Sequence, residues 1–107
     1  MILKQTIEIE VYPHDIAGEC TWDEAVDACE ELGDGWRLPT QEELHLMWAN
    51  EKNIGNFIAD YYWSSSESNT ENARTQDLND GDVAVCCKWD NLIVRPVREV
   101  KQKEEKK

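Results

Sequence analysis

A chain of 107 residues has room for one domain and one modest core. Its formal charge of −12 repels phosphate backbones and argues against direct nucleic-acid binding. No stretch approaches the roughly 18 apolar residues of a membrane span, and the N-terminus turns polar at Lys4-Gln5-Thr6 without the apolar run of a secretory signal, so the expected location is the cytoplasm.

Thr6 to Val11 alternates polar and apolar residues with the period of a half-buried strand, which Pro13 ends. Thr21-Trp22-Asp23-Glu24 has the spacing of a capping box, in which the threonine hydroxyl and the glutamate each satisfy a free amide. Trp22, Ala25, Val26, Cys29 and Leu32 follow at helical spacing, and Gly33 supplies the stop. Gly35 to Pro39 must be extended, because a residue before proline disfavours helix. Thr40-Gln41-Glu42-Glu43 repeats the capping box ahead of a shorter helix bearing Leu44, Met47 and Trp48.

From Asn50 to Asp60 the pattern predicts irregular chain, and Tyr61 to Ser65 predicts a strand. Asn79-Asp80-Gly81-Asp82 is a turn, after which Val83, Val85, Cys87 and Trp89 alternate on one strand face. Leu92 to Val100 reads as a closing strand that Pro96 confines to an edge or a bend. Lys101 to Lys107 carries four Lys, two Glu and no apolar residue, which predicts a disordered charged tail behind a single domain at 1–100. Helices followed by strands point to an α+β domain with antiparallel sheets.

The four cysteines, Cys20, Cys29, Cys86 and Cys87, are expected as free thiols in a reducing compartment. Cys86 and Cys87 would point to opposite faces of a strand, and no pair has zinc-ligand spacing, so no metal or cofactor is expected. Asp77, Asn79, Asp80 and Asp82 put oxygen ligands on a turn, but Gly81 is misplaced for an EF-hand loop and a solvated turn is the simpler reading. His14 and His45 are isolated, and Ser64-Ser65-Ser66 lacks the glycine-flanked elbow of a nucleophile. No catalytic constellation emerges, and an enzyme is not expected.

Thr21-Trp22-Asp23-Glu24-Ala25 through Cys29, Gly35-Trp36-Arg37-Leu38-Pro39-Thr40 with Glu43-Leu44, Tyr62-Trp63-Ser64-Ser65-Ser66-Glu67, and Val94-Arg95-Pro96-Val97-Arg98 together resemble the Lcl C-terminal domain family of bacterial and phage domains. The resemblance covers roughly residues 20–100. It implies a C-type-lectin-like fold, with two helices on small antiparallel sheets and the N- and C-terminal strands close together. More distantly it implies kinship with the variable proteins of diversity-generating retroelements and with formylglycine-generating enzymes. The latter need a reactive cysteine pair for which Cys86-Cys87 is a poor stand-in. The calcium-dependent sugar loop of true C-type lectins is missing, and Trp89-Asp90-Asn91 holds its residue types in the wrong order.

Trp36 and Trp63 are expected to fill the core, with Arg37 pairing a nearby acid. In this fold class ligands meet the long loops, which here correspond to residues 65–74 and 88–91. Glu67, Asn69, Lys88, Trp89, Asp90 and Asn91 are the candidate partner-binding residues: adaptable polar types around one aromatic anchor. The alternative is that Trp89 packs in the core and the loop is merely solvated. A protein is the expected partner, with carbohydrate as the second choice. Two other readings stand beside it. One is a virion decoration or tail-associated subunit, if a phage encodes the chain. The other is a small acidic inhibitor that mimics nucleic acid.

Overall fold

The computed structural model describes residues 2–4, by their backbone, and residues 8–100. Ile7, expected on the first strand, and the tail at 101–107 lie outside the described residues. Among the described residues, three helices and two small sheets make an α+β fold.

The alternating Glu8–Val11 segment forms β2, which buries Ile9 and Val11. It lies between β1, Ile2–Lys4, and β8, Val97–Glu99, in an antiparallel three-stranded sheet. The register Ile9↔Glu99 and Val11↔Val97 draws the two ends of the domain together, as expected. The expected closing strand is in fact two. β7, Leu92–Val94, belongs to a second sheet, and Arg95-Pro96 carries the chain across to β8. Proline suits this step because it has no N–H to leave unpaired, while its carbonyl accepts from Tyr12 N at 2.9 Å.

The second sheet has the order β3-β7-β4-β5-β6, where β3 is Ile16–Cys20, β4 Tyr61–Glu67, β5 Asn72–Asp77 and β6 Val83–Cys87. It is mixed, because β4 and β7 run parallel at Tyr62↔Ile93. β3 escaped the sequence pattern for a local reason. Ala17 and Gly18 both have positive φ, and the pairing with β7 shifts between Ile16 and Cys20, so no alternation survives.

Both capping boxes form. Thr21 and Glu24 open α1, Trp22–Leu32, and Gly33 ends it; Thr40 and Glu43 open α2, Gln41–Ala49. Glu51–Ile54 makes a one-turn α3 where irregular chain was expected, closed by Gly55 at φ +79°.

The helices divide the core. α1 packs on β3 and β4, α2 on β4 and β5. Adjacent β4 residues point opposite ways. Tyr62 joins Ile9, Val11, Leu44, Met47, Leu78, Ile93 and Val97, while Trp63 joins Cys20, Ala25, Cys29, Leu38, Ala73 and Val94. Trp63 is fully buried and donates from Nε1 to Cys20 O at 2.8 Å. Trp36 is not a core residue as expected. It is half-buried at the edge of the three-stranded sheet, edge-on to Tyr12 at 4.8 Å and beneath the Arg98 guanidinium at 4.4 Å.

The two halves of the sequence motif meet each other. Arg37 and Val97 exchange backbone hydrogen bonds of 2.8 Å each, Ser65 N donates to Pro39 O at 2.7 Å, and Gln41 N donates to Ser66 Oγ at 2.9 Å. The Trp36–Thr40 segment is thereby stitched to both sheets.

Candidate functional site

Residues 65–74 are less of a loop than expected. β4 continues to Glu67 and β5 begins at Asn72, so only Ser68 to Glu71 turns. The reason is pairing: polar side chains do not prevent a ladder whose partner strand is already in place, and Asn72 and Ala73 match Cys87 and Cys86 on β6. Asn69 holds the turn, its Oδ1 accepting from Glu71 N at 2.9 Å and from Asn72 Nδ2 at 3.0 Å.

The second segment, Lys88 to Asn91, is the turn between β6 and β7 and sits beside the first. Lys88 N donates to Glu71 O at 2.9 Å, and Trp22 N donates to Lys88 O at 2.8 Å. The Lys88 ammonium pairs with the Glu67 carboxylate and stands 4.3 Å from the centre of the Trp22 ring. Lys88 is thus a structural tie between β4, α1 and the turn, with only 13 % of its side chain exposed. Glu67, Asn69, Asp90 and Asn91 are exposed around it.

Trp89 is 66 % exposed, the most exposed of the large apolar side chains among the described residues. The core alternative for it fails. The strand alternation ends at Cys87, and Trp89 lies in the turn beyond, whose backbone is fixed by the Asp90 N to Cys87 O bond of 2.9 Å. The alternation of Val83, Val85 and Cys87 is real but faces outward: Val83 and Val85 are each 50 % exposed.

At the far end of the β5–β6 hairpin a shallow groove runs between Trp48, Asn50, Lys52, Asn53 and Asn79. Trp48 floors it, resting on Gly81 and donating from Nε1 to Asn79 O at 3.3 Å. The neighbouring turn of Asp77, Asn79, Asp80 and Asp82 spends its carboxylates on its own backbone: Asp77 Oδ1 accepts from Asn79 N at 2.7 Å and Asp80 Oδ1 from Asp82 N at 2.9 Å. Asp82 also accepts the Tyr61 hydroxyl proton, and this bond, with burial and the other acids adding, pushes the Tyr61 pKa up to about 12. Among the described residues no three His, Cys, Asp or Glu side chains gather as a metal site would need.

The residues weighed for chemistry stay apart. His45 Nδ1 stands 3.2 Å from Gln76 Nε2, and His14 Nδ1 lies 2.9 Å from its neighbour's carbonyl oxygen with its ring edge-on to Tyr12. Cys20 and Cys29 are buried, no disulfide joins any of the four thiols, and burial pushes Cys29 up to about 12 with Cys20 and Glu30 adding. That leaves a weak nucleophile at neutral pH.

Sequence reasoning missed Arg95. Its side chain is fully buried, with Nε 2.9 Å from Asp15 Oδ1, Nη2 2.6 Å from Asn56 O, and Nη1 bonding Tyr12 O at 3.3 Å. The Phe57 ring lies 4.2 Å from its guanidinium carbon. An arginine inside the apolar run Leu92 to Val97 is the signal that could have found it.

No curated protein matches the chain. The family model described as the Lcl C-terminal domain matches residues 5–98, which takes in both capping boxes, the Gly35–Thr40 segment, β4 and the β7–β8 step. With nearly the whole described fold inside that match, the chain belongs to the Lcl C-terminal domain family.

Proposed function

We propose that this domain is a non-catalytic binding module that recognises a protein partner through the paired turns carrying Glu67, Asn69, Trp89, Asp90 and Asn91. The observation that carries the reading is Trp89: a large aromatic ring, 66 % exposed, on a turn whose backbone is bonded at both ends. A tryptophan has only two side-chain torsions to fix, so it costs little entropy to immobilise, and such rings ringed by polar groups are frequent binding anchors. The exposed Asp90 and Asn91 next to it offer adaptable hydrogen bonding. The charge of −12 favours a partner with a basic face and an association that is faster at low salt. The C-type-lectin-like reading of the fold is supported by the β2–β8 pairing of the chain ends and by the turns clustering at one end of the mixed sheet.

The test compares wild type and W89A as immobilised baits in an extract of the source organism, followed by titration of any recovered partner. Affinity should fall by about 2 kcal/mol or more while the melting temperature holds. Equal recovery by both baits at equal folded fraction would remove Trp89 from the interface. Turnover of a substrate abolished by one substitution at Cys86, Cys87 or His45 would overturn the non-catalytic reading.

A further inference from the structure

β6 ends the strand order of the mixed sheet, and among the described residues nothing pairs with its outer edge. Its five residues carry no charge and no proline, and their register with β5, from Asn72↔Cys87 to Gln76↔Val83, contains no bulge. Natural proteins usually protect an edge with one of those devices. The backbone direction follows from the two bonds that flank the ladder. Asp77 N donates to Asp82 O at 2.8 Å, and Lys88 N donates to Glu71 O at 2.9 Å. Antiparallel strands alternate inward and outward residues. Asp82, Ala84, Cys86 and Lys88 therefore bond toward β5, and Val83, Val85 and Cys87 turn their N–H and C=O groups to the open side. Two of these three also present exposed side chains, Val83 and Val85 at 50 % each, while Cys87 is half-buried.

We propose that a second copy of this chain pairs with the β6 edge, antiparallel and centred on Val85, so that two five-stranded sheets join into one. Only this register uses all of Val83 to Cys87 in both copies. Val85 stands opposite Val85 of the second copy, and Val83 opposite Cys87 of the second copy. Every outward N–H then meets an outward C=O, and the valine stripe runs on across the two-fold axis. On the other face, Ala84 stands opposite Cys86 of the second copy, so no like charges oppose each other along the paired five residues. A two-fold contact must be self-complementary, and this uncharged edge is so in hydrogen bonding and apolarity. A basic strand from another protein would instead set its charges against an uncharged apolar edge. So short an edge covers less surface than a standard interface, which makes the dimer weak. Each copy carries −12, so the overall repulsion relaxes as salt screens it.

The test is sedimentation equilibrium of the full chain over rising protein concentration, at low and at high sodium chloride. Dimer should grow with concentration and tighten with salt. V85P removes only an outward N–H, and V85K meets its own charge across the axis. Both should sediment as monomers with an unchanged circular dichroism spectrum, and if V85P fails to fold, V85K decides. Oxidised A84C, whose thiol faces Cys86 of the second copy, should give a covalent dimer that A84C/C86S does not. A monomer at every concentration, a dimer weakened by salt, or V85K dimerising as wild type does would overturn the proposal. So would poly-lysine binding that V85P abolishes in a chain that stays monomeric, since that would assign the edge to a partner's strand.

Discussion

Glu43 clasps Arg37 through two parallel hydrogen bonds, Nη1 to Oε1 at 2.7 Å and Nη2 to Oε2 at 3.0 Å, while the same Oε1 accepts from Thr40 N at 2.8 Å. One carboxylate thus caps α2 and anchors the extended segment that precedes it. Burial pushes the Glu43 pKa up, but the Arg37 bonds and the Thr40 backbone bond outweigh it, and the net shift is downward. The guanidinium answers in kind, its pKa raised chiefly by the Glu43 bond.

The stability this pair contributes should therefore be fully present above the ordinary glutamate range. It should be lost as pH falls through the lowered folded value. Arg37 is 37 % exposed, so solvent screens part of the attraction, and R37A should cost about 1–3 kcal/mol at neutral pH. Urea denaturation from neutral to acidic pH should show wild type losing more stability than E43Q, whose neutral side chain has no such ionisation to reverse.

Arg95 is the costlier arginine to remove. R95A leaves the Asp15 carboxylate with the Tyr62 hydroxyl but no cation and strips the arginine donors from the Tyr12 and Asn56 carbonyls, and a loss of about 3–5 kcal/mol is expected. R95K should recover little, because one ammonium cannot match the guanidinium fork that reaches the carboxylate and those carbonyls together. Chemical denaturation of the two variants checks this.

The tryptophans should separate cleanly in thermal or urea unfolding. W63A removes a fully buried ring and should cost about 3–5 kcal/mol. W89A should stay within about 0.5 kcal/mol of wild type, as surface substitutions do. W36A, which loses the Tyr12 and Arg98 contacts but opens no core cavity, should fall between them.

Gly81 has φ +83°, and a Cβ there would come 2.5 Å from Trp48 Cε2. G81A should therefore destabilise through both backbone strain and overpacking, by about 1–3 kcal/mol. W48A/G81A should show less than additive loss, since the clash disappears with the ring.

Thiol labelling at neutral pH offers a separate check on the core. Cys29, fully buried and with its pKa pushed up to about 12, should resist alkylation in the folded protein. All four cysteines should label after denaturation. Rapid labelling of Cys29 in the native state would contradict its place on the buried face of α1.

Local signals were legible without a structure because their physics spans only a few residues. A capping box needs only Thr21 and Glu24, or Thr40 and Glu43, and both formed. The Glu8–Val11 alternation marked a buried face, and proline, glycine and the charged turn residues marked where elements end. Family membership was legible for the same reason, since its motif residues are mostly caps, turns and packing side chains. What required the tertiary structure were facts about which surfaces meet. Val83 and Val85 alternate as a buried strand would, yet they stay exposed because α1 and α2 pack on β3, β4 and β5 instead. Trp36 and Trp63 sit in similar motif stretches, but only Trp63 lies on a strand covered by a helix. β3 has no pattern of its own and exists because β7 offers a partner. Arg95 is buried as a cation only because Asp15 and the Tyr12 and Asn56 carbonyls, distant in the chain, converge on it. Burial and pairing are properties of neighbours, and neighbours are set by long-range contacts that no local window of residues contains.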